Sequence, residues 1–215
     1  MKKSKFIENT AENVLHISES MTGKMSGVLS ISSSCLNNPR CLARMKNGES
    51  VCAHCFAANT AKRYAGLRKN LLENTETLAD LIPGGALPHF KKNVSMVRFE
   101  SFGDLQNVNH ARNFIRIAKI NPHVKFALWT KNPDLLGQAV AIEGKPENMM
   151  IIQSSVKLDQ AEKPYGEFID KVFTVYRPAT IDAENIEINC GARDCASCAK
   201  CYLDKTIKDI REKLK

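Results

Sequence analysis

The 215 residues are 43% hydrophobic and 25% charged, a composition that suits one well-buried domain and excludes a disordered or low-complexity chain. The N-terminal stretch MKKSKFIENTAENV lacks the apolar run of a signal peptide, and no segment approaches the ~20 apolar residues of a membrane span, so secretion and membrane spanning are excluded and a cytoplasmic location is expected. The formal charge of +8 would suit a nucleic-acid partner, but metal-bound thiolates reduce it. Eight thiolates subtract 8 and two centres of about +2 each restore about 4, leaving about +4, so charge alone argues weakly for nucleic acid.

In chain order, GVLSISSS (27–34) has the character of a short strand running into Cys35. From Cys55 onward, CFAANTAKRYAGLRKNLLENTETLADLI is free of proline and rich in Ala, Leu, Lys and Glu, which predicts one long helix ending before Pro83 and the Gly84-Gly85 break. Next come a strand over 95–104, a helix over 109–121, a strand over 124–130 and a helix over 132–144, with Pro133 suited to a first helical turn. A strand over 149–156, a short helix over 160–170 weakened by Pro164 and Gly166, and a strand over 171–177 follow. The terminal LDKTIKDIREKLK reads as a charged helix with a narrow apolar stripe.

Strands alternating with helices predict βαβ units around a parallel sheet. The chain is short for a closed eight-stranded barrel of about 250 residues. The expected fold is therefore a single α/β domain over 1–215, an incomplete (β/α) barrel or open parallel sheet of five or six strands, with cysteine-rich segments near both ends.

Ligand sites in such folds form beyond the carboxyl ends of the strands. Those ends carry Ser33, Ser34 and Cys35; Glu100, Ser101 and Asp104; Thr130 and Lys131; Gln153, Ser154 and Ser155; and Tyr176 and Arg177. Any one of them can simply mark the start of a loop, and Asp104 can cap the helix that starts near Asn107. Together they suit a small polar or phosphorylated ligand, and Glu100, Asp104, Lys131, Ser154 and Arg177 are the candidate cofactor-binding residues. His110, on the following helix, reads as solvent-facing.

The eight cysteines fall into two groups, Cys35, Cys41, Cys52 and Cys55 early, and Cys190, Cys195, Cys198 and Cys201 late. In a reducing compartment such spacing points to metal rather than disulfides. The late C-x4-C-x2-C-x2-C steps resemble segments that wrap one cubane cluster, and they lack the longer loop between paired knuckles of structural zinc. The early C-x5-C-x10-C-x2-C is looser and leaves zinc open. All eight are candidate metal ligands, in two centres or in a mixed one, and His54 is an added donor or a hydrogen-bonding neighbour.

A strand, a cysteine-bearing loop, a long helix and further βα units resemble radical S-adenosylmethionine enzymes. That resemblance implies a [4Fe-4S] cluster on Cys41, Cys52 and Cys55, with the methionine part of the cofactor near 100–104. The family's compact C-x3-C-x2-C is absent, however, and the aromatic residue follows the last cysteine as Phe56. More of the chain resembles the phage and prophage family called gene product 88. The likeness rests on the CxxCYA-like element over 52–57, the strand with a Gly-Asp end over 98–104, the segment over 122–131 and the late cysteines over 190–202. It implies a host-cell cytoplasmic phage protein.

The expected function is an iron–sulfur protein with a radical-enzyme-like core, engaged in redox chemistry or electron transfer with a redox partner or small polar ligand. The alternatives are a radical S-adenosylmethionine enzyme and a zinc-stabilised nucleic-acid-binding protein that uses Lys62, Arg63, Arg68 and Lys69.

Overall fold

A computed structural model describes residues 5–9, 11–20 and 23–214. Seven strands form one open sheet in chain order. They are β1 (Ser18–Glu19), β2 (Leu29–Ile31), β3 (Met96–Phe99), β4 (Lys125–Thr130), β5 (Met149–Ser154), β6 (Lys171–Tyr176) and β7 (Asp209–Lys213). β1 pairs antiparallel with β2, and every later neighbour is parallel. The helices are α1 (Pro39–Met45), α2 (Phe56–Arg63), α3 (Ala65–Ala79), α4 (Val108–Ile120), α5 (Pro133–Glu143), α6 (Pro178–Glu184) and α7 (Cys195–Cys198).

The period-two alternation of the strands separates two faces. Ile31, Val97, Phe99, Phe126, Leu128 and Ile151 face one layer, where Leu78 of α3, Phe114 and Ile115 of α4, and Leu136 of α5 cover them. Phe99 is the pivot of this core. Its ring stacks on Phe114 at 4.2 Å and on Phe126 at 5.0 Å between centroids. The opposite face presents Val28, Ala127, Met150 and Ile152 with Met96, Trp129 and Phe173, and here the cover is the late cysteine segment rather than a helix layer.

Several sequence expectations are corrected. The terminal segment is no helix: Asp209–Lys213 pairs with β6, from Val172↔Asp209 to Tyr176↔Lys213, because an edge-strand ladder satisfies its backbone while Ile210 fills the inner face. Lys215 lies outside the described residues. The stretch 160–170 forms no helix, since Pro164 and Gly166 interrupt it and Gln153 and Ser155 take its backbone N–H groups at Tyr165 and Glu162 instead. The long helix breaks at Tyr64, whose extended backbone ends α2 and starts α3. An additional helix, α1, begins at Asn38-Pro39, where the Asn38 side chain accepts from the N–H groups of Arg40 and Cys41.

Candidate metal centres and the strand-end site

The loop after β2 carries Cys35, α1 carries Cys41, and a single 3-10 turn, Val51–His54, delivers Cys52 and leads into Cys55 at the N-cap of α2. Cys35 and Cys41 are buried, and Cys52 and Cys55 are half-buried. The Cys35 thiol donates a hydrogen bond to Cys55, which, with the N–H groups of Ala58 and Ala57, lowers the Cys55 pKa to about 6. The same hydrogen bond, together with burial, holds the Cys35 proton firmly in place. Burial first, and then the neighbouring Asp104 and Cys52, push the Cys41 thiol upward.

Beside these thiols the carboxyl ends of β3 and β4 place three of the expected ligand residues. Cys41 lies in the electrostatic field of Asp104, Lys131 and Glu100. Glu100 is buried and its carboxylate accepts from the Ser33 N–H at 3.2 Å and the Ser33 hydroxyl at 3.1 Å. Its backbone is left-handed, with φ 56, a conformation that costs a non-glycine residue free energy and is kept only where surroundings enforce it. Gly103 belongs to the same constraint: a Cβ there would lie 2.4 Å from Ser33 Oγ and 2.6 Å from both the Ser33 carbonyl and Glu100 Oε2.

His110 is fully buried, contrary to the solvent-facing expectation. Its Nε2 lies 2.9 Å from Glu100 Oε1, close but out of line for a hydrogen bond, while Nδ1 accepts from the Gln106 N–H. The apolar positions around it on α4 take it inward, and its ring meets Phe114 edge-on. Asp104 does not cap α4. Asn107 does, through the His110 N–H. Asp104 instead accepts from the Thr130 hydroxyl at 2.6 Å and the Lys131 N–H at 2.9 Å. Burial raises its pKa, and Lys131 and these hydrogen bonds oppose that rise.

The other two expected ligand residues stand further along the sheet. Ser154, buried, ends β5. Arg177 follows β6 and is engaged by Asp159 at 2.6 Å and Glu49 at 3.7 Å. The structure thus brings Glu100, Asp104 and Lys131 to the early cysteines and places Ser154 and Arg177 one and two strands beyond.

The late cysteines gather on the inner sheet face. Cys195 and Cys201 each feel the charges of Cys190 and Cys198, Cys201 also that of Cys195, and burial raises both thiols, Cys201 to about 12. This segment docks on the amino-terminal side of the sheet. The Cys195 N–H donates to the Lys24 carbonyl ahead of β2, and Lys171 at the start of β6 donates to the carbonyls of Asp204 and Ile207. The early thiols sit at the carboxyl ends, so each group keeps its own neighbourhood, and a mixed centre finds no support.

Two residues beside the late thiols, Lys24 and Arg98, carry no local sequence signal. Lys24 Nζ reaches Cys190 Sγ at 3.2 Å, its carbonyl at 3.3 Å and Glu212 at 2.6 Å. Arg98 lays its guanidinium 3.9 Å over the Trp129 ring, and Tyr202 meets Trp129 edge-on. Lys24 and Arg98 come from a loop and a strand distant in the chain from the late cysteines.

Among the described residues, no three His, Cys, Asp or Glu side chains stand close enough to hold a metal ion as they are placed. The donor chemistry of both groups nevertheless fits a thiolate-bound cation. Cys55 is poised as thiolate, and the half-buried late thiols lie beside two cationic side chains. No described helix is long and apolar enough to cross a membrane.

No curated protein and no solved structure matches the chain, so the likeness to radical S-adenosylmethionine enzymes gains no support. A family model described as Gene product 88 matches residues 4–213, nearly the whole length and both cysteine groups. On that match the chain belongs to the Gene product 88 family.

Proposed function

We propose that the protein binds iron–sulfur clusters through its two cysteine groups and that the early centre serves electron transfer at the carboxyl ends of the strands. The observation that carries this reading is the convergence of Cys35, Cys41 and Cys55, from three separate elements, beside Glu100, Asp104 and Lys131. Structural need alone gives little reason to place a thiolate-prone cysteine at a helix start next to two buried thiols.

In this reading Cys35, Cys41, Cys52 and Cys55 hold the early cluster and Cys190, Cys195, Cys198 and Cys201 the late one. A thiolate-held cluster supplies one-electron chemistry when bound. The chain's own residues do the rest. The N-terminal turn of α2 stabilises the Cys55 thiolate, Lys131 offsets negative charge near Cys41, and Leu36, Met45 and Phe102 pack around the thiols and exclude water.

The test is anaerobic purification followed by iron and acid-labile sulfide assays and visible spectroscopy. Brown protein with sulfide-bearing iron is expected, whereas colourless protein with stoichiometric zinc and no sulfide would refute the reading. Four-thiolate ligation of the early centre further requires that Cys35→Ala disturb the cluster. It also requires that S-adenosylmethionine leave the electron paramagnetic resonance spectrum of the reduced protein unchanged and yield no 5′-deoxyadenosine. Cleavage of that cofactor would favour a three-cysteine cluster with one open iron.

A further inference from the structure

Arg98 is a cation in an unusual position. It stands in β3, on the inner face, with Nε buried and without a hydrogen-bond partner. Its Nη1 reaches only the Met25 sulfur at 3.6 Å, and its flat face lies against Trp129. Among the described residues no carboxylate comes within ion-pair distance of it. A half-buried guanidinium whose partners are a thioether and an indole gains from negative charge supplied elsewhere. The groups able to supply it are Cys195 and Cys201, whose electrostatic neighbourhoods both contain Arg98.

Lys24 also lies within electrostatic reach of Cys195. It lies ahead of β2, half-buried, donates to both the sulfur and the carbonyl of Cys190, and is anchored by Glu212 of β7. The two cations sit on neighbouring segments, since Arg98 reaches the sulfur of Met25 beside Lys24, and the chain separation between Lys24 and Cys190 is 166 residues. The late segment also packs closely on the turn that bears Lys24: a Cβ on Gly27 would lie 3.5 Å from the Cβ of Ala196.

Building on the reading of the late cysteines as metal ligands, we propose that Lys24 and Arg98 are positioning residues that compensate the negative charge of the metal-bound late thiolates. Four thiolates around a centre of about +2 leave about −2, which a partly apolar inner face tolerates only beside fixed positive charge. Lys24 answers Cys190 by direct hydrogen bonding, and Arg98 answers Cys195 and Cys201 from the sheet side. The early centre has a different partner, Lys131.

The experiment uses cobalt(II), whose thiolate charge-transfer absorption reports tetrahedral sulfur ligation, on the full chain carrying Cys41→Ser and Cys52→Ser so that only the late cysteines report. Arg98→Gln and Lys24→Met should each weaken cobalt(II) binding about 10–100-fold, the usual cost of losing a residue that supports metal ligands. The charge-preserving Arg98→Lys and Lys24→Arg should recover most of the loss, which lost packing alone would not allow. Circular dichroism of each variant identifies unfolding, and Lys24→Arg keeps the proposal testable if Lys24→Met does not fold. Affinity unchanged within twofold in both charge-removing variants, or no recovery by the conservative ones, would overturn the charge role while leaving the metal site standing. If the background chain shows no sulfur-to-cobalt absorption that Cys198→Ala abolishes, the metal reading itself fails and takes this proposal with it.

Discussion

Glu100 and His110 face each other 2.9 Å apart with neither side chain exposed to solvent. Removing one partner leaves the other's buried polar group unmatched in low dielectric, at a cost of about 1–3 kcal/mol. Glu100→Ala and His110→Ala are each expected to lower stability by that order, read from chemical denaturation. Because each single variant strands the same interaction, the double variant should cost less than the sum, with a coupling of about 0.5–3 kcal/mol. Strict additivity would show that the two side chains do not depend on one another.

Gly103 makes the second prediction. The Ser33 carbonyl, which a new methyl would meet at 2.6 Å, belongs to the backbone after β2 and cannot swing aside as a side chain can. Gly103→Ala should therefore destabilise the protein by about 1–3 kcal/mol, the range for overpacking. Adding Ser33→Ala removes the hydroxyl at 2.4 Å but not the carbonyl, so recovery should be partial. A melting temperature equal to that of the parent would show that the strand ends separate easily.

Cys55 offers a chemical readout. The hydrogen bond from Cys35 lowers its pKa to about 6, aided by the α2 N–H groups, so in chelator-treated, reduced protein it should be thiolate at pH 7. Because its pKa is depressed, reactivity toward iodoacetamide should be present above about pH 6 and disappear as pH falls through that value. Cys35 and Cys41, buried and shifted upward, should label far more slowly. Peptide mapping of the labelled sites across pH 5 to 8 measures this, and uniform labelling of the early cysteines would contradict it.

The late cysteines predict a regional effect. Metal ligands drawn from one segment and packed on distant strands couple binding to folding. Cys198→Ala should lower metal content and expose 186–214 to limited proteolysis, while the core around Phe99 and Phe114 keeps its protection. Equal protease resistance and metal content in variant and parent would remove the structural role.

The parallel sheet was legible in the sequence because β4, β5 and β6 are apolar runs bounded by helices that end at Asn121, Gly144 and a loop. The same rule placed Glu100, Asp104 and Lys131 at the strand ends. β7 was illegible for a physical reason: Ile207, Ile210 and Leu214 at three- and four-residue steps mimic a helical stripe, and only pairing with β6 decides against it. α1 carries a local signal in Asn38-Pro39, a cap followed by proline at the first turn. His110 read as exposed because one polar residue in an amphipathic helix gives no hint of a buried carboxylate ten residues earlier. Lys24 and Arg98 carry no signal, because their meeting with the late cysteines depends on tertiary contacts across most of the chain.

The edge of the sheet has a consequence for handling the protein. Arg211 turns its N–H and C=O away from β6, and Asn189 and Cys190 occupy both: the Asn189 side chain accepts from the N–H at 2.8 Å, and the Asn189 and Cys190 N–H groups donate to the carbonyl. The segment that carries the first late cysteine is thus also the cover of an otherwise open β-edge. On the proposed metal-bound reading, chelation or oxidation of those thiols would lift the cover and leave a strand template ready to recruit another chain, so turbidity should follow chelator treatment, and a preparation should keep best under reducing, chelator-free conditions.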